Sequence, residues 1–584
     1  MVSSFKLKCC FKKSKQQDYY DFLAPSVHHL QTSFLQTIQE SGLSSTATLY
    51  DIENLQSDEP GLIRQKGVSV NCPIDQKKGA AYVHCLESSE ESNKNTKDHV
   101  GTATHMLSYA WSYKYKDIVD TLVEFCRANK LNPKKTYVWI CAFCNNQHRV
   151  VERDVPFEEF KYVFKKKVKG IGNILAMMTP WNDPGYLKRV WCIFEMYSAN
   201  ADENTTIQII MPPGQKTSLM DAIMKPTDGA GRSGLDELFA TLASTKVEHA
   251  NASREVDKDN ILRMVEDGPG YSAFNAEINQ LLRKWIRDTV FDAAKDAEEK
   301  LKKSATGGSY SLQETATFLT FCATFFSKSG AHQEALELHT KGLKLYKSLK
   351  TTHSNESMAR CYNNMGTEYE SLGKYDEALT WHHKCREAFE EIYGMDDEHT
   401  SVSYFNIGAV LRKLEKNEEA LEMYEKSMDI DTRIKGCNHI DVGLSLSYIG
   451  RIKQHNEDYD GALKNFEKSL KIRKDTYGKN HPDVAIGYGD MGLVYHMREE
   501  YDKAINFHLK AMTIQEQVLG NTHPDTASVY QNIGGAYYQK GLHDEALKFQ
   551  KKAFSSYNIS FGPDHPKTKS SAQWVEIVEE AMKQ

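Results

Sequence analysis

The chain has 584 residues, of which 26% are charged and 40% hydrophobic, and its formal net charge is −6. This length exceeds one hydrophobic core, so we expect about two to four domains. The slightly acidic balance gives no reason to expect nucleic-acid binding, and no apolar run approaches the roughly 18 residues of a membrane helix. Twelve cysteines without the spacing of a disulfide framework predict reduced thiols and a cytoplasmic protein.

The extreme N-terminus, "MVSSFKLKCCFKKSK", is basic and contains the pair Cys9-Cys10. Two acylatable thiols beside lysines would meet the two-signal requirement for peripheral membrane attachment, so Cys9 and Cys10 are candidate lipidation sites. The alternative is a solvated basic tail. We predict that residues 1–97 comprise this tail and a poorly defined linker region such as "LESSEESNKNTKD", with a helix within "YYDFLAPSVHHLQTSFLQTIQESG".

Strand-like and helix-like segments alternate within residues 98–303. The strand-like segments are "HMLSYAW", "TYVWICAFC", "NILAMMTP" and "TTIQIIMP". The helix-like segments between them are "KDIVDTLVEFCRANK", "FEEFKYVFKKKVKG" and "VWCIFEMYSA". This alternation predicts right-handed βαβ units and an α/β domain whose parallel sheet is buried on both faces. A long helix from "FNAEINQ" ends this domain, and "SATGGS" predicts a flexible boundary after it.

Aromatic and polar side chains follow the predicted strands, where parallel sheets bind their ligands. The candidate substrate-binding residues at the strand ends and at the start of the third helix are Ser108, Tyr109, Trp111, Asn146, Gln147, Arg189 and Trp191. Rings and amides near one carboxylate, Glu195, suit a nucleotide-sized ligand. The sequence has no Walker loop and no G-x-G-x-x-G turn, which argues against an ordinary nucleotide triphosphatase or dehydrogenase.

Three blocks in this segment, "LSYAW" (107–111), "VWICAFCNNQ" (138–147) and "RVWCIFE" (189–195), resemble the fungal heterokaryon-incompatibility (HET) domain. The first and third are also similar to TIR domains. This resemblance implies a doubly wound, flavodoxin-like (TIR-like) parallel sheet that self-associates. Many TIR domains cleave the nicotinamide–ribose bond of NAD+ with the glutamate of that helix. The resemblance therefore makes Glu195 the candidate catalytic residue and NAD+ its candidate substrate, with no bound cofactor or metal.

A carboxylate suits this chemistry, because nicotinamide leaves from a ribose that develops positive charge. Burial beside an indole ring would raise the pKa of such a carboxyl group. The chain departs from the HET pattern in three places, with Cys141 for an acid, Ser112 for a glycine and Phe194 for a glutamine. The alternative is that Glu195 is an ordinary helix residue paired with Arg189.

The pair Cys141-x-x-Cys144 has the spacing of half a zinc or redox site. The sequence offers no second pair to complete four ligands, and the same run fits a buried strand. We favour the buried strand.

The C-terminal half of the chain repeats with a period of 42 residues. The first marker is a glycine that recurs at Gly366, Gly408, Gly450, Gly492 and Gly534. The second is an alanine that recurs at Ala335, Ala378, Ala420, Ala462, Ala504 and Ala546. Apolar positions at helical spacing within each period predict two antiparallel helices. We therefore predict six helical hairpins from about residue 310 to 566 and a closing helix, which form residues 310–584 into an α-solenoid.

The phrases "YNNMGTEYESLGKYDEAL" and "GKNHPDVAIGYGDMGLVY" resemble the tetratricopeptide repeat (TPR), in the long form found in kinesin light chains. This resemblance implies a groove that binds a peptide or protein partner. The groove positions it assigns, two residues before each glycine, are Asn364, Asn406, Tyr448, Asp490 and Asn532. A motor role is not expected, because the sequence before residue 310 lacks the heptads of a coiled coil.

Together these features predict a signalling or scaffold protein. Its TPR solenoid would bind a partner, and its TIR/HET-like domain would be the output, by NAD+ glycohydrolysis. The alternative is a non-enzymatic adaptor in which the α/β domain only mediates interactions.

Overall fold

The computed structural model describes residues 19–54, 59–88, 98–148, 157–182, 185–200, 202–224, 246–252, 255–304, 311–349, 351–563 and 565–583. The chain divides into two compact units, residues 1–296 and 297–584. The first unit contains a small parallel sheet among helices, and the second is a helical solenoid. Cys9 and Cys10 lie outside the described residues, so membrane attachment stays a prediction.

The described residues of the first unit form two sheets. The strands are β1 (Leu23–Pro25), β2 (Val100–Thr102), β3 (His105–Ser108), β4 (Val138–Trp139), β5 (Asn173–Met177) and β6 (Thr206–Ile210). Strands β1 and β2 pair antiparallel, whereas the other four form a parallel sheet in the order β4-β3-β5-β6. In its centre, Met106 lies opposite both Trp139 and Ile174. The sheet is parallel, as predicted from the sequence.

Twelve α-helices are described in this unit. They are α1 (Val27–His29), α2 (Leu35–Glu40), α3 (Leu49–Glu53), α4 (Leu62–Gly67), α5 (Tyr82–Ser88), α6 (Tyr115–Ala128), α7 (Cys141–Cys144), α8 (Phe157–Ile171), α9 (Val190–Asn200), α10 (Pro213–Met224), α11 (Glu255–Asp267) and α12 (Tyr271–Ser304). A π-helical turn, Leu30–Phe34, joins α1 to α2, and 3-10 helices occur at Gly185–Lys188 and Val247–His249.

Helices cover both faces of the parallel sheet. The crossover from β3 to β4 runs in one direction along the sheet, and those from β4 to β5 and from β5 to β6 run in the other. Because crossovers are right-handed, α6 lies on one face and both α8 and α9 lie on the other. Accordingly, α8 packs on β3 and β5 and also on α9, while α6 packs on α10. The central strands are buried, as the side chains of Met106, Leu107 and Leu175 show. The near-continuous apolar runs of these strands follow from this double coverage.

Residues 19–54 and 59–88 are part of the packed first unit, which differs from the predicted tail and linker. The ring of Phe34 lies 4.8 Å from that of Phe143 and 5.3 Å from that of Tyr82. Strand β1 adds further buried residues, including Leu23 and Ala24. Helices α1 and α2 and the π-helical turn between them lie in the stretch where the sequence predicted a helix, whereas α3, α4 and α5 are too short for a 3.6-residue period to identify them.

The second predicted strand is also shorter than expected. Strand β4 ends at Trp139, and Cys141–Cys144 forms a helical turn, α7. The run "VWICAFC" is apolar throughout, and periodicity cannot separate a buried strand from a buried helical turn over so few residues.

The described part of the second unit consists of six helical hairpins and a closing helix. The first helices of the hairpins are α13 (Leu312–Lys328), α15 (Thr352–Ser371), α17 (Glu398–Lys413), α19 (Ile440–His455), α21 (Pro482–Met497) and α23 (Pro524–Gln539). The second helices are α14 (His332–Leu349), α16 (Tyr375–Tyr393), α18 (Asn417–Lys435), α20 (Tyr459–Tyr477), α22 (Tyr501–Val518) and α24 (His543–Phe561). The closing helix is α25 (Pro566–Ala581).

Histidine–proline pairs start two of the first helices and the closing helix. Proline occupies the first turn of α21, where a missing N–H leaves no bond unmade. The preceding His481 caps this helix, because its Nδ1 accepts a hydrogen bond from the backbone N–H of Asp483 at 3.2 Å. His523 makes the same contact with Asp525 at the start of α23. The imidazole therefore adds an N-cap that the proline alone would not supply.

Glycine occupies these repeat positions because a side chain of the second helix packs directly over each of them. The residues that lie over the five glycines, each sixteen positions further along the chain, are His382, Tyr424, Phe466, His508 and Gln550. A Cβ at Gly492 would lie 2.6 Å from Cε1 of His508. The constraint therefore comes mainly from this ring or amide rather than from contact between the two helix backbones.

We expect Gly492→Ala to destabilise the array by about 1–3 kcal/mol, because the buried His508 ring has no room to move away from the added methyl group. The matched control is Gly489→Ala in the same helix, where nothing lies within 4 Å of the added Cβ. That control should gain about 0.5–1 kcal/mol from its higher helix propensity. Urea unfolding followed by circular dichroism measures both changes, and equal shifts in the two variants would contradict the packing argument.

No helix within the described ranges combines the length and the hydropathy that a membrane span requires.

Candidate functional site

Ser108 and Glu195 meet at the carboxyl end of β3. Ser108 is the last residue of β3, and Glu195 lies in the middle of α9, which follows β5 and leads to β6. The Ser108 hydroxyl donates a hydrogen bond to Oε2 of Glu195. Ser108 is 1% exposed and Glu195 is 7% exposed. A carboxyl group is therefore held inside the protein at the strand ends where parallel sheets bind ligands.

Two tyrosines extend this hydrogen-bonded group. The Tyr186 hydroxyl lies 3.0 Å from Ser108 Oγ and 3.3 Å from the Cys192 carbonyl oxygen. The Tyr113 hydroxyl accepts a hydrogen bond of 2.8 Å from the Tyr186 backbone N–H. Sequence reasoning missed both tyrosines, because neither belongs to a recognisable block and the 3-10 helix that carries Tyr186 has no sequence signature.

Burial raises the pKa of Glu195 to about 7, while the Ser108 hydrogen bond and the charge of Arg189 oppose this rise. The carboxyl group is thus close to half-protonated at neutral pH. Such a group can accept or donate a proton, or present a negative charge to a developing cation. The sequence had suggested a raised pKa from indole neighbours, and in the structure the main cause is burial.

Cys141 stands at the position where the HET pattern has an acid, and it follows β4 at the carboxyl end of that strand. Its Sγ is 3.3 Å from the Tyr109 hydroxyl and accepts a hydrogen bond of 3.3 Å from Trp111 Nε1. Burial raises the pKa of the Cys141 thiol, so it is neutral at physiological pH. Tyr109 and Trp111 therefore contact a thiol where a carboxylate would add a second negative charge.

Arg189 supplies the positive charge of this group. The charge of Arg189 lowers the pKa of Glu195. The Nη1 atom of Arg189 is buried and has no hydrogen-bond partner among the described residues. A buried guanidinium nitrogen without a partner is unfavourable, because its N–H groups have lost their hydration without gaining an acceptor.

Three other predicted ligand residues make internal contacts. The Trp191 ring packs against those of Phe164 and Phe194, at 5.9 and 5.7 Å between centroids. Asn146 Nδ2 donates to the Gly79 carbonyl oxygen at 2.8 Å, and Gln147 Nε2 donates to the Cys141 carbonyl oxygen at 2.9 Å. The described contacts thus group Ser108, Tyr109, Trp111 and Arg189 around Cys141 and Glu195, while Asn146, Gln147 and Trp191 stabilise the surrounding fold.

The Cys141-x-x-Cys144 pair occupies one helical turn. Cys144 Sγ accepts a hydrogen bond of 3.3 Å from the Ile140 backbone N–H. Within the described ranges, no three His, Cys, Asp or Glu side chains are grouped to hold a metal ion.

The second unit presents its predicted binding positions on the first helices of the hairpins. Neighbouring first helices contact each other, as α13 does with α15 and α21 with α23. Asn406 Nδ2 donates a hydrogen bond of 2.8 Å to Asn363 Oδ1 of the preceding repeat. Asn364 is half-buried on the same helix as Asn363. These positions therefore form a row along the first helices.

In the fourth and fifth repeats this row has a tyrosine and an aspartate in place of asparagine. Tyr448 lies under two guanidinium groups, with Arg412 and Arg451 at 5.7 and 5.3 Å from its ring centroid. Asp490 is buried and binds Arg451 at 3.1 Å. Asn532 lies in a cavity near the end of the array. The side chains at these positions therefore differ from repeat to repeat.

Sequence and structure comparisons bear on this second unit. The sequence model of the tetratricopeptide repeat matches residues 357–433, 441–517 and 488–559. The C-terminal region contains TPR repeats. This confirms the part of the prediction that concerned the solenoid. No curated protein matches the sequence.

Among solved structures, BtubC (BKLC) from P. vanneervenii is 19% identical over 40% of this chain and 91% of its own, with a TM-score of 0.35. A putative kinesin light chain with TPR-like repeats from Podospora anserina is 17% identical over 35% of this chain and 98% of its own, with a TM-score of 0.32. A signal-transduction ATPase with a TPR sensor from Pyrococcus horikoshii is 12% identical, covers 75% and 82% of the two chains, and has a TM-score of 0.39.

The first helices of the hairpins also expose aliphatic side chains that were not identified from the sequence. Val402, Leu444 and Ile486 are 46%, 38% and 42% exposed. They occupy the same position in three successive repeats, 42 residues apart. Their 42-residue spacing could have identified them in the sequence, because exposed positions repeat with the same period as buried ones.

Proposed function

We propose that this protein is a scaffold whose TPR solenoid binds a peptide or protein partner along its first helices. TPR repeats indicate a protein-interaction role, and the exposed row of Val402, Leu444 and Ile486 supports it. Water-exposed aliphatic groups repeated along one face become favourable when a partner covers them. The Tyr448 ring lies on the same helix as Leu444, and it and its two guanidinium neighbours would add polar contacts to the partner.

We further propose that the first unit is a TIR/HET-like output domain that hydrolyses NAD+, with Glu195 as its catalytic carboxylate. The observation that carries this proposal is the hydrogen bond from Ser108 to the buried Glu195 at the carboxyl end of β3. The strand order β4-β3-β5-β6 supports a flavodoxin-like fold, because it equals the order 2-1-3-4 with which such sheets begin. The site then lies beside β3, where the strand order reverses.

In this mechanism the ionised Glu195 stabilises the positive charge that develops on the ribose as its bond to nicotinamide breaks. The bonding electron pair leaves with nicotinamide. Water then adds to the ribose carbon and releases one proton. The Ser108 hydrogen bond holds the carboxylate in place, the Tyr186 hydroxyl holds Ser108, and Arg189 would donate a hydrogen bond to an oxygen of the dinucleotide. Partner binding to the solenoid would bring these domains together for self-association.

A non-enzymatic interaction module is the second candidate for this unit. One observation favours it. Cys141 replaces the second acid, and Tyr109 and Trp111 both bind its thiol. The site thereby has one carboxyl group instead of two.

Incubation of the purified full chain with NAD+ should release nicotinamide, and Glu195→Gln should reduce the rate by about 100-fold or more, since a charged group that acts on the transition state is lost. The matched control is Glu203→Gln, at an exposed glutamate that follows α9. The wild-type rate should rise with pH through about 7, as the carboxyl group ionises.

Two results would decide against this assignment. Absence of nicotinamide release by the wild type at high protein concentration would leave the interaction module. Release that Glu195→Gln does not reduce would show that another residue performs the reaction.

A further inference from the structure

Helix α3 precedes the parallel sheet in the chain and packs against the residues that follow β3. The backbone N–H of Tyr115 donates a hydrogen bond of 2.9 Å to the Ala47 carbonyl oxygen. Thr48 pairs with Lys114 in an isolated antiparallel bridge. The start of α3 is therefore attached to the loop at the carboxyl end of β3, which is the strand end that carries Ser108 of the candidate site.

The other end of α3 is held at the neighbouring strand end. Glu53, the last residue of α3, is 0% exposed and binds Arg64 Nε at 2.5 Å. The carbonyl oxygen of Arg64 lies 3.1 Å from Nε2 of His148, which follows β4. Because both ends of α3 are attached to loops at this edge of the sheet, its side chains have defined positions beside the candidate site.

Tyr50 is the side chain of α3 that joins the candidate site. Its ring lies 5.8 Å from that of Trp111, and the two ring planes are inclined by 52°. The Tyr50 hydroxyl also lies within electrostatic reach of the Arg189 guanidinium. Tyr50 lies outside the three blocks that resemble HET and TIR domains, so the resemblance assigns it no role.

Tyr50 belongs to the part of the site that solvent reaches. Ser108 and Glu195 are 1% and 7% exposed, whereas Tyr50 is 41% exposed and Trp111 and Arg189 are half-buried. A ligand can therefore contact the Tyr50 ring directly, without any rearrangement of the fold.

Two aromatic rings at the accessible part of the site suit a flat heteroaromatic group, which stacks on such side chains. Trp111 Nε1 donates a hydrogen bond of 3.3 Å to Cys141 Sγ, and this thiol lies within electrostatic reach of Glu195. The ring pair is thus close to the carboxyl group. Of the two rings of NAD+, nicotinamide is the one joined to the ribose carbon at which the bond breaks, so it is the ring that lies near Glu195.

We propose that Tyr50, together with Trp111, binds the nicotinamide ring of NAD+ by stacking, and that α3 thereby completes the site. The inference rests on the proposed hydrolysis of NAD+ by this unit. It adds to the site a residue from outside the α/β domain predicted as residues 98–303. Tyr50 contacts the ligand but takes no part in bond cleavage, so its loss should weaken binding without slowing the reaction of bound substrate.

Saturation-transfer NMR on the full chain tests this contact, with Glu195→Gln as the background so that the probes are not cleaved. The probes are nicotinamide mononucleotide, adenosine monophosphate and ribose 5-phosphate. Nicotinamide mononucleotide should give a signal about fivefold or more above the other two, because it alone places a ring on Tyr50. Tyr50→Ala should reduce that signal about tenfold, whereas Tyr50→Phe, which retains a ring, should change it by less than about twofold.

The matched control is Tyr19→Ala, because Tyr19 is also 41% exposed and belongs to the same unit. This variant should leave the signal unchanged. A signal that Tyr50→Ala does not reduce, or that Tyr19→Ala reduces equally, would overturn the proposal. So would a stronger signal from adenosine monophosphate that Tyr50→Ala removes, because Tyr50 would then bind the other ring of NAD+.

Steady-state kinetics of nicotinamide release separates this inference from the proposed function. Tyr50→Ala should raise the KM for NAD+ about tenfold and leave kcat within about twofold, since it removes binding that the ground state and the transition state share. Release with an unchanged KM in Tyr50→Ala would uphold the proposed function and overturn the stacking contact. Tyr50-dependent binding of nicotinamide mononucleotide, without release by the wild type, would instead uphold the contact and contradict the hydrolysis.

Discussion

Lowering the pH from 6.5 towards 4 should unfold the helical array, because three buried histidines cannot take up protons in the folded state. His339, His382 and His508 are each about 1% exposed. Burial lowers the pKa of each of them from 6.5 to about 4. His382 has both ring nitrogens buried without a hydrogen-bond partner in the described chain, so no neighbour compensates a charge there.

The sign follows from which state binds more protons. Above pH 6.5 these rings are neutral in both the folded and the unfolded state, and their contribution to stability is complete. Between pH 6.5 and 4 the unfolded chain takes up protons that the folded array excludes, and stability falls. The difference in pKa corresponds to roughly 3 kcal/mol for each histidine, and a typical domain is stable by only about 5–15 kcal/mol.

The chain itself suggests the variants. Gln550 fills in the last repeat the position that His382 and His508 fill in earlier ones. The double variant His382→Gln/His508→Gln should therefore keep the packing and lose much less stability between pH 7.5 and 4.5, measured by thermal melting with circular dichroism on the full chain. His455→Gln, at an exposed histidine, is the control. An unchanged pH dependence in the double variant would assign the acid unfolding to other groups.

The solenoid could be predicted from the sequence because its repeat is a regular spacing of residues along the chain. Gly366 and its equivalents repeat every 42 residues, and this spacing alone identifies the hairpins. The period does not reveal which side chain lies over each glycine. That position contains histidine, tyrosine, phenylalanine or glutamine, and the glycine accommodates all of them. For the same reason Trp574, which lies 42 residues after Asn532, was not recognised as the next position of the row, since no glycine stands two residues after it.

The candidate site in the first unit was predictable only in part. Strands β3, β5 and β6 are apolar runs, and the carboxyl ends of parallel strands meet at one edge, so Ser108 and Glu195 could be expected to lie near each other. Tyr186 and Tyr113 reach the site through a 3-10 helix and a loop. No sequence period places such residues, because their positions depend on tertiary contacts.

Above neutral pH, Glu195→Gln should stabilise the first unit instead of destabilising it. Burial raises the pKa of Glu195 from 4.5 to about 7 in the folded state. Below pH 4.5 the carboxyl group is protonated in both states, and the fold carries no penalty. As the pH rises towards 7 the unfolded chain ionises first, and stability falls by roughly 3 kcal/mol. A neutral glutamine can still accept the Ser108 hydrogen bond and avoids this loss.

Urea unfolding of the full chain at pH 4.5 and pH 8, followed by tryptophan fluorescence, tests this expectation. The variant should match the wild type at pH 4.5 and exceed it at pH 8. Ser108→Ala is the opposite case, because it removes a hydrogen bond that lowers the pKa of Glu195 and so should reduce stability most at pH 8. Destabilisation by Glu195→Gln at pH 8 would mean that the carboxylate is well solvated, which contradicts its burial. If the same substitution both stabilises the fold and abolishes nicotinamide release, then the carboxylate is retained for its chemistry at the expense of stability, as expected of a catalytic group and not of a structural one.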